Sequence, residues 1–234
     1  MKSQVWVLGL YMVNIKDSLK VKYCGNKSLV DLKITASSQA QYLGFIFAKS
    51  KREVRPEDLK SWLEHVDVRS KKLVGVFVNS AIDEILSVVS KVPLSVIQCH
   101  GTESPQMLTE IKTVLNREVW KVIHHSDNSF KHMEDYSGIA DAYVIDSKVK
   151  GMWGGSGEVF DWSFIPQYIK EAKRQGVPCY IAGGVNKDNL KELLTFQIDG
   201  IDLSSGIELN NIKDKEIIKK IEEQVKLYDT GSRS

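Results

Sequence analysis

The chain has 234 residues, of which 42% are apolar and 26% are charged, proportions that exclude disordered and collagen-like proteins. Its formal net charge is +2 and no long block of one sign occurs, so the composition favours neither a nucleic-acid-binding protein nor a polybasic membrane anchor. We therefore expect a small metabolite as the partner, and neither nucleic acid nor membrane.

The cysteines add a constraint on the cellular environment. Cys24, Cys99 and Cys179 lie far apart and form no Cys-x-x-Cys pair. This spacing argues against a disulfide framework and against a structural zinc site, and it favours a reducing compartment. We therefore expect a cytoplasmic protein.

The chain begins with an apolar segment. The longest uncharged apolar run covers residues 5–13, which is about half of what a membrane span needs. No small-x-small cleavage site follows it, which argues against a signal peptide. We interpret residues 1–18 as an N-terminal extension, either a surface-docked segment or residues upstream of a start at Met12. Residues 231–234 are expected to form a disordered tail.

Short runs of β-branched and aromatic residues alternate along the chain with amphipathic stretches. The runs predict eight strands: Leu19–Cys24, Tyr42–Phe47, Leu73–Val78, Val96–His100, Val119–His124, Ala142–Asp146, Cys179–Ala182 and Gly200–Ser204. The amphipathic stretches predict helices, among them Pro56–Val66, Ala81–Val89, Pro105–Leu115, Phe164–Gln175, Asp188–Phe196 and Lys213–Tyr228.

This alternation predicts a fold. Strict alternation of strand and helix requires parallel strands, and eight units in a chain near ~250 residues indicate a closed (β/α)8 TIM barrel. We place this single α/β domain at residues 19–230. The alternative is a doubly wound open sheet, which usually carries a Gly-x-Gly-x-x-Gly turn after its first strand. The turn here reads Cys24-Gly25-Asn26-Lys27, which favours the barrel.

In such a barrel the active site lies at the C-terminal ends of the strands. Cys24, His100 and Asp146 each end a predicted strand. A lone cysteine is often a small buried hydrophobe, and a buried carboxylate is often a structural hydrogen-bond acceptor. At these positions we favour function, because Lys22 shares a strand face with Cys24 and its cation would favour the thiolate. Cys99 belongs to the opposite strand face from Gln98 and His100, and we expect it to pack under the helices.

Glycine clusters follow the last three predicted strands, at residues 154–157, 183–184 and 204–206. One cluster alone is explained by a tight turn, but clusters after strands seven and eight favour a phosphate site, where backbone N–H groups converge on the anion. A thiol and a carboxylic acid that face each other over a phosphate site indicate paired proton transfer. Hydrolysis is disfavoured, since no Ser–His–Asp order or metal-ligand spacing is present.

These residues resemble phosphoribosylanthranilate isomerase, a barrel enzyme of tryptophan biosynthesis, and its Bacillus-type members in particular. The resemblance covers the chain from about Leu19 to the last helix. The matching segments are Lys22-Tyr23-Cys24-Gly25, residues 43–47 with Ser50-Lys51-Arg52, residues 75–79, residues 97–101, Asp146, residues 154–157 with Phe160-Asp161-Trp162, residues 182–186 and residues 202–206.

The resemblance implies an Amadori rearrangement of N-(5-phosphoribosyl)anthranilate, an aldose–ketose isomerisation that uses no metal and no organic cofactor. Asp146 would be the general acid that opens the ribose ring, and Cys24 the general base that takes the proton from the sugar C2′. Arg52 would hold the anthranilate carboxylate, since its planar fork matches a carboxylate. The remaining expected substrate contacts are Lys22, His100, Gly155, Gly183, Gly184, Ser204, Ser205 and Gly206.

Two features depart from the family pattern: Asn26-Lys27 replaces the usual residues after Gly25, and the N-terminal extension is additional. The alternatives are the sister phosphosugar isomerase of histidine biosynthesis, which typically uses two aspartates, and a non-catalytic barrel that binds a phosphorylated metabolite. Cys24 argues against the first and the paired catalytic groups against the second. A monomer and a homodimer both remain open, as does substrate contact by His124 or His125.

Overall fold

The computed structural model of the protein describes residues 18–147 and 159–231. Eight parallel strands form a closed barrel in chain order, and each predicted strand end agrees with the structure to within one residue. The strands are β1 Lys20–Tyr23, β2 Tyr42–Ile46, β3 Lys72–Phe77, β4 Val96–Cys99, β5 Glu118–His124, β6 Ala142–Asp146, β7 Cys179–Ile181 and β8 Gly200–Leu203. The predicted barrel is confirmed.

Helices follow the strands and cover the outside of the barrel. They are α1 Leu29–Ala36, α2 Pro56–Leu63, α3 Ile82–Val89, α4 Pro105–Leu115, α5 Ser129–Asp135, α6 Ile165–Gln175, α7 Leu190–Leu193 and α8 Lys215–Gly231. The predicted helix Asp188–Phe196 is shorter, because α7 passes into a 3-10 turn that ends at Gln197 with a φ of 54°. None of these helices is long and apolar enough to cross a membrane.

The last predicted helix begins later than expected. A two-stranded hairpin precedes it, formed by β9 Glu208–Leu209 and β10 Ile212–Lys213. Lys213 therefore belongs to the hairpin, and α8 starts at Lys215. At the other end of the barrel, the Leu19 N–H donates to Asp229 of α8 at 3.1 Å. Of the predicted extension, residues 1–18, only residue 18 is described. Of the predicted disordered tail, residues 231–234, only Gly231 is described, and it is the last residue of α8 and not part of a tail.

Side chains inside the barrel change from apolar to polar along the strands. The lower interior holds a closed apolar cluster with Trp120 at its centre, whose ring stacks on Tyr180 at 4.6 Å and meets Tyr42 edge-on at 4.8 Å. Because successive residues of a strand alternate between faces, the same inward rows continue upward into Lys22, Gln98, His124, Asp146 and Asp202. The apolar plug thus closes the bottom of the barrel, and polar groups remain at the C-terminal end.

Helix α1 was not predicted, yet its start has a sequence signal. The Ser28 hydroxyl accepts a hydrogen bond from the Asp31 N–H, and the Asp31 carboxylate accepts one from the Lys27 N–H. The Ser28 hydroxyl thus satisfies an N–H group that a helix start leaves open, and the Asp31 carboxylate holds the residue before the cap. The carboxylate of Asp31 also accepts from the Lys213 N–H at 2.9 Å, so the same residue ties the β9–β10 hairpin to α1.

Candidate active site

A cavity of about 990 Å³ opens at the C-terminal ends of the strands. Its polar lining brings together most of the predicted site residues, namely Cys24, Arg52, His100, Asp146, Gly183, Gly184, Ser204 and Ser205. Phe47, Val76 and Phe77 supply apolar lining, which suits an aromatic group. Another cavity, of about 660 Å³, lies outside the barrel between α7 and α8 and contains none of the predicted site residues.

Cys24 lies directly after β1, and its N–H donates to the Leu203 carbonyl at 2.8 Å. The thiol is buried and lies over β2, where a Cβ at Gly44 would come within 2.7 Å of Sγ. Glycine at position 44 is therefore what lets the thiol reach the cavity. Behind the thiol, Lys22 is fully buried and donates to Asp202 on β8 at 2.6 Å.

Lys22 favours the thiolate of Cys24, as predicted, but burial opposes it more strongly. Burial raises the pKa of the Cys24 thiol; Lys22 and Lys213 act in the opposite direction without cancelling it. Burial alone would lower the pKa of Lys22, but Asp202 and Cys24 outweigh burial and raise it. Lys22 does not line the cavity, whereas its partner Asp202 does. The prediction that Lys22 contacts the substrate is therefore not supported by its position.

Arg52 is held by a buried carboxylate that the sequence did not reveal. Nε and Nη2 of Arg52 each donate to Glu208 at 2.8 Å, and Lys213 donates to the same carboxylate at 2.9 Å. Burial opposes ionisation of Glu208, but these two cations lower its pKa to about 2. The planar fork of Arg52 that we assigned to the anthranilate carboxylate is thus already engaged by Glu208. Lys213 also donates to the carbonyls of Cys24 and Ser204, which joins the hairpin to the site.

Asp146 ends β6 on another side of the cavity and is almost fully buried. Its Oδ2 lies 3.3 Å from Nε2 of His100, but the two atoms are not aligned for a hydrogen bond, and Nε2 has no other partner among the described residues. Gly183 packs against the carboxyl with a φ of 75°, and a Cβ there would come within 2.6 Å of Oδ1. Glycine is therefore required at position 183 for both conformation and space.

The two adjacent histidines of β5 face opposite sides, as strand geometry requires. Nε2 of His124 lies 3.0 Å from the His100 carbonyl, and the two rings are 5.2 Å apart. Burial and His100 lower the pKa of His124. His125 instead stacks on Phe160 at 4.9 Å and shares a 2.8 Å hydrogen bond with Tyr168, so it lies among the helices and not in the cavity.

A comparison with known proteins identifies the family that has this arrangement. The family model described as N-(5'phosphoribosyl)anthranilate (PRA) isomerase matches residues 21–224. The chain belongs to this family.

Individual relatives agree with the family model. The N-(5'-phosphoribosyl)anthranilate isomerase of Geobacillus thermodenitrificans is 51% identical over 210 residues, which cover 90% of this chain and 95% of the relative. The Bacillus subtilis enzyme is 46% identical over 208 residues, covering 89% and 95%. A solved phosphoribosyl anthranilate isomerase in complex with reduced 1-(o-carboxyphenylamino)-1-deoxyribulose 5-phosphate has a TM-score of 0.74 at 28% identity, covering 89% of this chain and 98% of that one.

The predicted phosphate residues of this isomerase separate into three groups. Gly183, Gly184, Ser204 and Ser205 line the cavity. Gly206 lies behind it, where a Cβ would collide with the Val185 carbonyl, so it allows the loop after β8 to pack against the loop after β7. Gly155 lies outside the described residues. Phosphate binding by these loops stays a prediction.

Several residues of the site were missed. Asp202 and Gln98 line the cavity. Each lies two residues before a predicted site residue and on the same face of its strand, and this spacing is the sequence signal that could have identified them. Glu208 and Lys213 gave no such sequence signal, because they follow β8, the last strand of the barrel.

The departure from the family pattern at Asn26 is structural. The side chain of this buried residue donates to the carbonyls of Tyr23 and Gly44 at 3.1 Å each and accepts from Thr35 at 2.8 Å. Asn26 therefore fixes the loop that carries Cys24.

Proposed function

We propose that Cys24 and Asp146 catalyse the Amadori rearrangement of N-(5'-phosphoribosyl)anthranilate in this chain. The isomerase function in tryptophan biosynthesis follows from family membership; the roles of the two residues are the proposal. The observation that carries it is the placement of one thiol and one carboxyl group, both at strand ends, in the lining of the same cavity. Cys24 stands at the end of β1 and Asp146 at the end of β6.

In the first step, protonated Asp146 donates its proton to the ring oxygen of the ribose. The bond between C1′ and that oxygen breaks, and the nitrogen lone pair of the anthranilate forms a Schiff base with C1′. The proton stays on the new hydroxyl, and Asp146 becomes a carboxylate. His100, whose Nε2 faces Oδ2 at 3.3 Å, is placed to stabilise this carboxylate as it forms.

In the second step, the thiolate of Cys24 takes the proton from C2′. The electron pair of the C2′–H bond forms a double bond to C1′ and returns electrons to the nitrogen, which gives an enol amine. The 2′-hydroxyl then loses its proton and C1′ gains one, so the enol amine becomes the ketone product. Proton exchange with solvent returns Cys24 and Asp146 to their starting states. Burial raises the pKa of Cys24, and Lys22 and Lys213 are the cations that oppose this shift. Their proposed contribution is to offset part of the effect of burial and so stabilise the thiolate.

Different parts of the cavity would bind the two ends of the substrate. The apolar lining would contact the anthranilate ring, and Arg52 would bind its carboxylate with Nη1, the guanidinium nitrogen that is not bound to Glu208. The loops after β7 and β8 would bind the phosphate through backbone N–H groups. The solved relative in complex with a phosphorylated product analogue supports a small phosphorylated substrate here. We propose a cytoplasmic enzyme that works as a monomer or homodimer, without metal or organic cofactor.

The direct test is the loss of phosphoribosylanthranilate fluorescence when purified protein is added. We expect turnover of this substrate and none of the bis-phosphorylated substrate of the histidine pathway. Binding of a product analogue without turnover would favour the non-catalytic barrel instead. Turnover of both substrates would show that the site does not discriminate as proposed.

A further inference from the structure

Three side chains that bind transition metals meet beside Asp146. His100 follows β4, His124 ends β5 and Asp146 ends β6, so neighbouring strands supply all three. One donor atom from each lies within 4.8 Å of the others. The shortest separation joins Nε2 of His100 to Oδ2 of Asp146, at 3.3 Å. Two ligands about 2.0–2.1 Å from one tetrahedral ion are about 3.3 Å apart, so this pair already has the required spacing.

Two buried atoms beside the cluster lack hydrogen-bond partners among the described residues, and metal binding would explain both. They are Nε2 of His100 and Oε1 of Gln98. In the structure the Gln98 amide nitrogen lies 3.3 Å from Nδ1 of His100. If a metal takes the Nε2 lone pair, the imidazole proton moves to Nδ1. Rotation of the Gln98 amide then lets Oε1 accept that proton, the second-shell contact that metal-binding histidines usually have.

We propose that His100, His124 and Asp146 bind a divalent cation of the Zn²⁺, Co²⁺ and Ni²⁺ class, and that the bound cation inhibits the isomerase. Two imidazoles and one carboxylate select this class over Mg²⁺ and Ca²⁺, which prefer oxygen ligands. The most distant donor atoms must approach by roughly 1.5 Å to reach tetrahedral spacing. The rings and the carboxyl achieve this by side-chain rotation, since all three stand at strand ends.

Inhibition follows from the chemistry of Asp146. A carboxylate that coordinates a cation carries no proton, so it cannot protonate the ring oxygen of the substrate. This part of the inference rests on the proposed role of Asp146. Metal binding itself rests only on the positions of the three side chains, so it is measured separately.

The binding test is calorimetric titration of the purified full-length chain with Zn²⁺. We expect one tight site, and His124→Ala should weaken it at least about 100-fold, because even an outer-shell partner is worth about 10–100-fold in affinity. His65→Ala is the matched control, since His65 is an exposed histidine far along the chain from the cluster. Unchanged affinity in His124→Ala, or an equal loss in His65→Ala, would overturn the site.

Cys24 supplies a thiol to the cavity lining, and Co²⁺ distinguishes coordination by this thiol from coordination by the proposed cluster. Coordination by His100, His124 and Asp146 should give visible Co²⁺ bands without the near-ultraviolet absorption of a cobalt–thiolate bond. Cys24→Ser should bind Co²⁺ as the wild type does. Thiolate absorption, or loss of binding in Cys24→Ser, would assign the metal to the cysteine and overturn the proposal.

The inhibition test compares turnover of the wild type and His124→Ala in Zn²⁺ and in Mg²⁺. Zn²⁺ should inhibit the wild type reversibly, with recovery on adding a chelator, and Mg²⁺ should not. Compared with its own metal-free turnover, His124→Ala should resist Zn²⁺ by the factor lost in affinity. Tight Zn²⁺ binding without inhibition would overturn the inhibitory role. If the chain did not turn over the substrate at all, the proposed function would fail while the calorimetric result still decided the metal site.

Discussion

The base side and the acid side of the cavity are built differently. On the base side, beside Cys24, Lys22 and Asp202 are paired at 2.6 Å, and Glu208 is held by two cations at 2.8–2.9 Å. On the acid side, beside Asp146, Nε2 of His100 approaches the carboxyl group to 3.3 Å without the alignment of a hydrogen bond. The side chains on the base side are therefore held in place before the substrate binds. We expect the bound substrate to complete the contacts on the acid side.

This difference predicts different kinds of damage from substitution. Breaking a buried ion pair by removing one partner costs about 3–5 kcal/mol, because the other charge is left buried and unpaired. Substitutions on the base side should therefore lower both stability and activity, apart from those at the thiol itself. On the acid side, Nε2 of His100 approaches Asp146 without the alignment of a hydrogen bond, so substitution of Asp146 should lower activity while the fold remains stable.

The largest expected effect is on turnover in Cys24→Ser. A hydroxyl is far too weak a base at neutral pH to replace a thiolate, so kcat should fall by about 10⁴-fold, the upper end of the range for general-base catalysis. Binding of a product analogue, measured by calorimetry, should be nearly unchanged. Retention of more than a few per cent of the activity would remove Cys24 from its assigned role.

Asp146→Asn should lower kcat by about 10²–10⁴-fold. The amide keeps the size and hydrogen bonding of the side chain but has no acidic proton to give. Thermal unfolding of the same sample should give a Tm close to that of the wild type. A lowered Tm with normal kcat per folded molecule would make Asp146 a structural acceptor instead.

Lys22→Met tests the fixed ion pair of the base side. We expect a loss of about 3–5 kcal/mol in the free energy of unfolding, measured in urea, because Asp202 stays buried without its partner. Lys22 lowers the pKa of Cys24 and Asp202 raises it, so the variant should have less thiolate at a given pH. The rising limb of the kcat/KM profile should therefore move to higher pH.

The double variant Lys22→Met with Asp202→Leu is the control for Lys22→Met. It removes both charges, so most of the stability should return. A single variant as stable as the wild type, or one with an unshifted pH profile, would contradict the electrostatic account of the base side.

The smallest expected effect on activity is that of Arg52→Ala on substrate binding, and the variant should also have a lower Tm because it breaks the buried pair with Glu208. Loss of charged hydrogen bonds to the carboxylate should weaken binding by about 1.5–3 kcal/mol, seen mainly as a higher KM. Glu208→Gln is the matched variant, since it loosens the hold on Arg52 while keeping the guanidinium. If Arg52 binds substrate, Glu208→Gln should not raise KM as Arg52→Ala does. An unchanged KM and kcat in Arg52→Ala would exclude Arg52 from the site.

The strand periodicity and the strand-end rule account for what the sequence predicted. Cys24 and Asp146 could be found because each ends a buried apolar run, and barrel geometry then places both at one end of the molecule. The partner of Lys22 could not be found in this way, because Asp202 becomes its neighbour only when β1 pairs with β8 and closes the barrel. Glu208 and Lys213 lie in a short hairpin with no strand periodicity. The sequence therefore could not predict that Glu208 binds the guanidinium group of Arg52.

The division of labour between Asp146 and Cys24 is tested most directly by the kinetic isotope effect on kcat with substrate deuterated at C2′. In Cys24→Ser, removal of the C2′ proton should limit the rate, so the full primary isotope effect should appear. In Asp146→Asn, ring opening should limit the rate instead, and the isotope effect should fall towards unity. A large isotope effect in Asp146→Asn together with none in Cys24→Ser would contradict the assignment of acid and base.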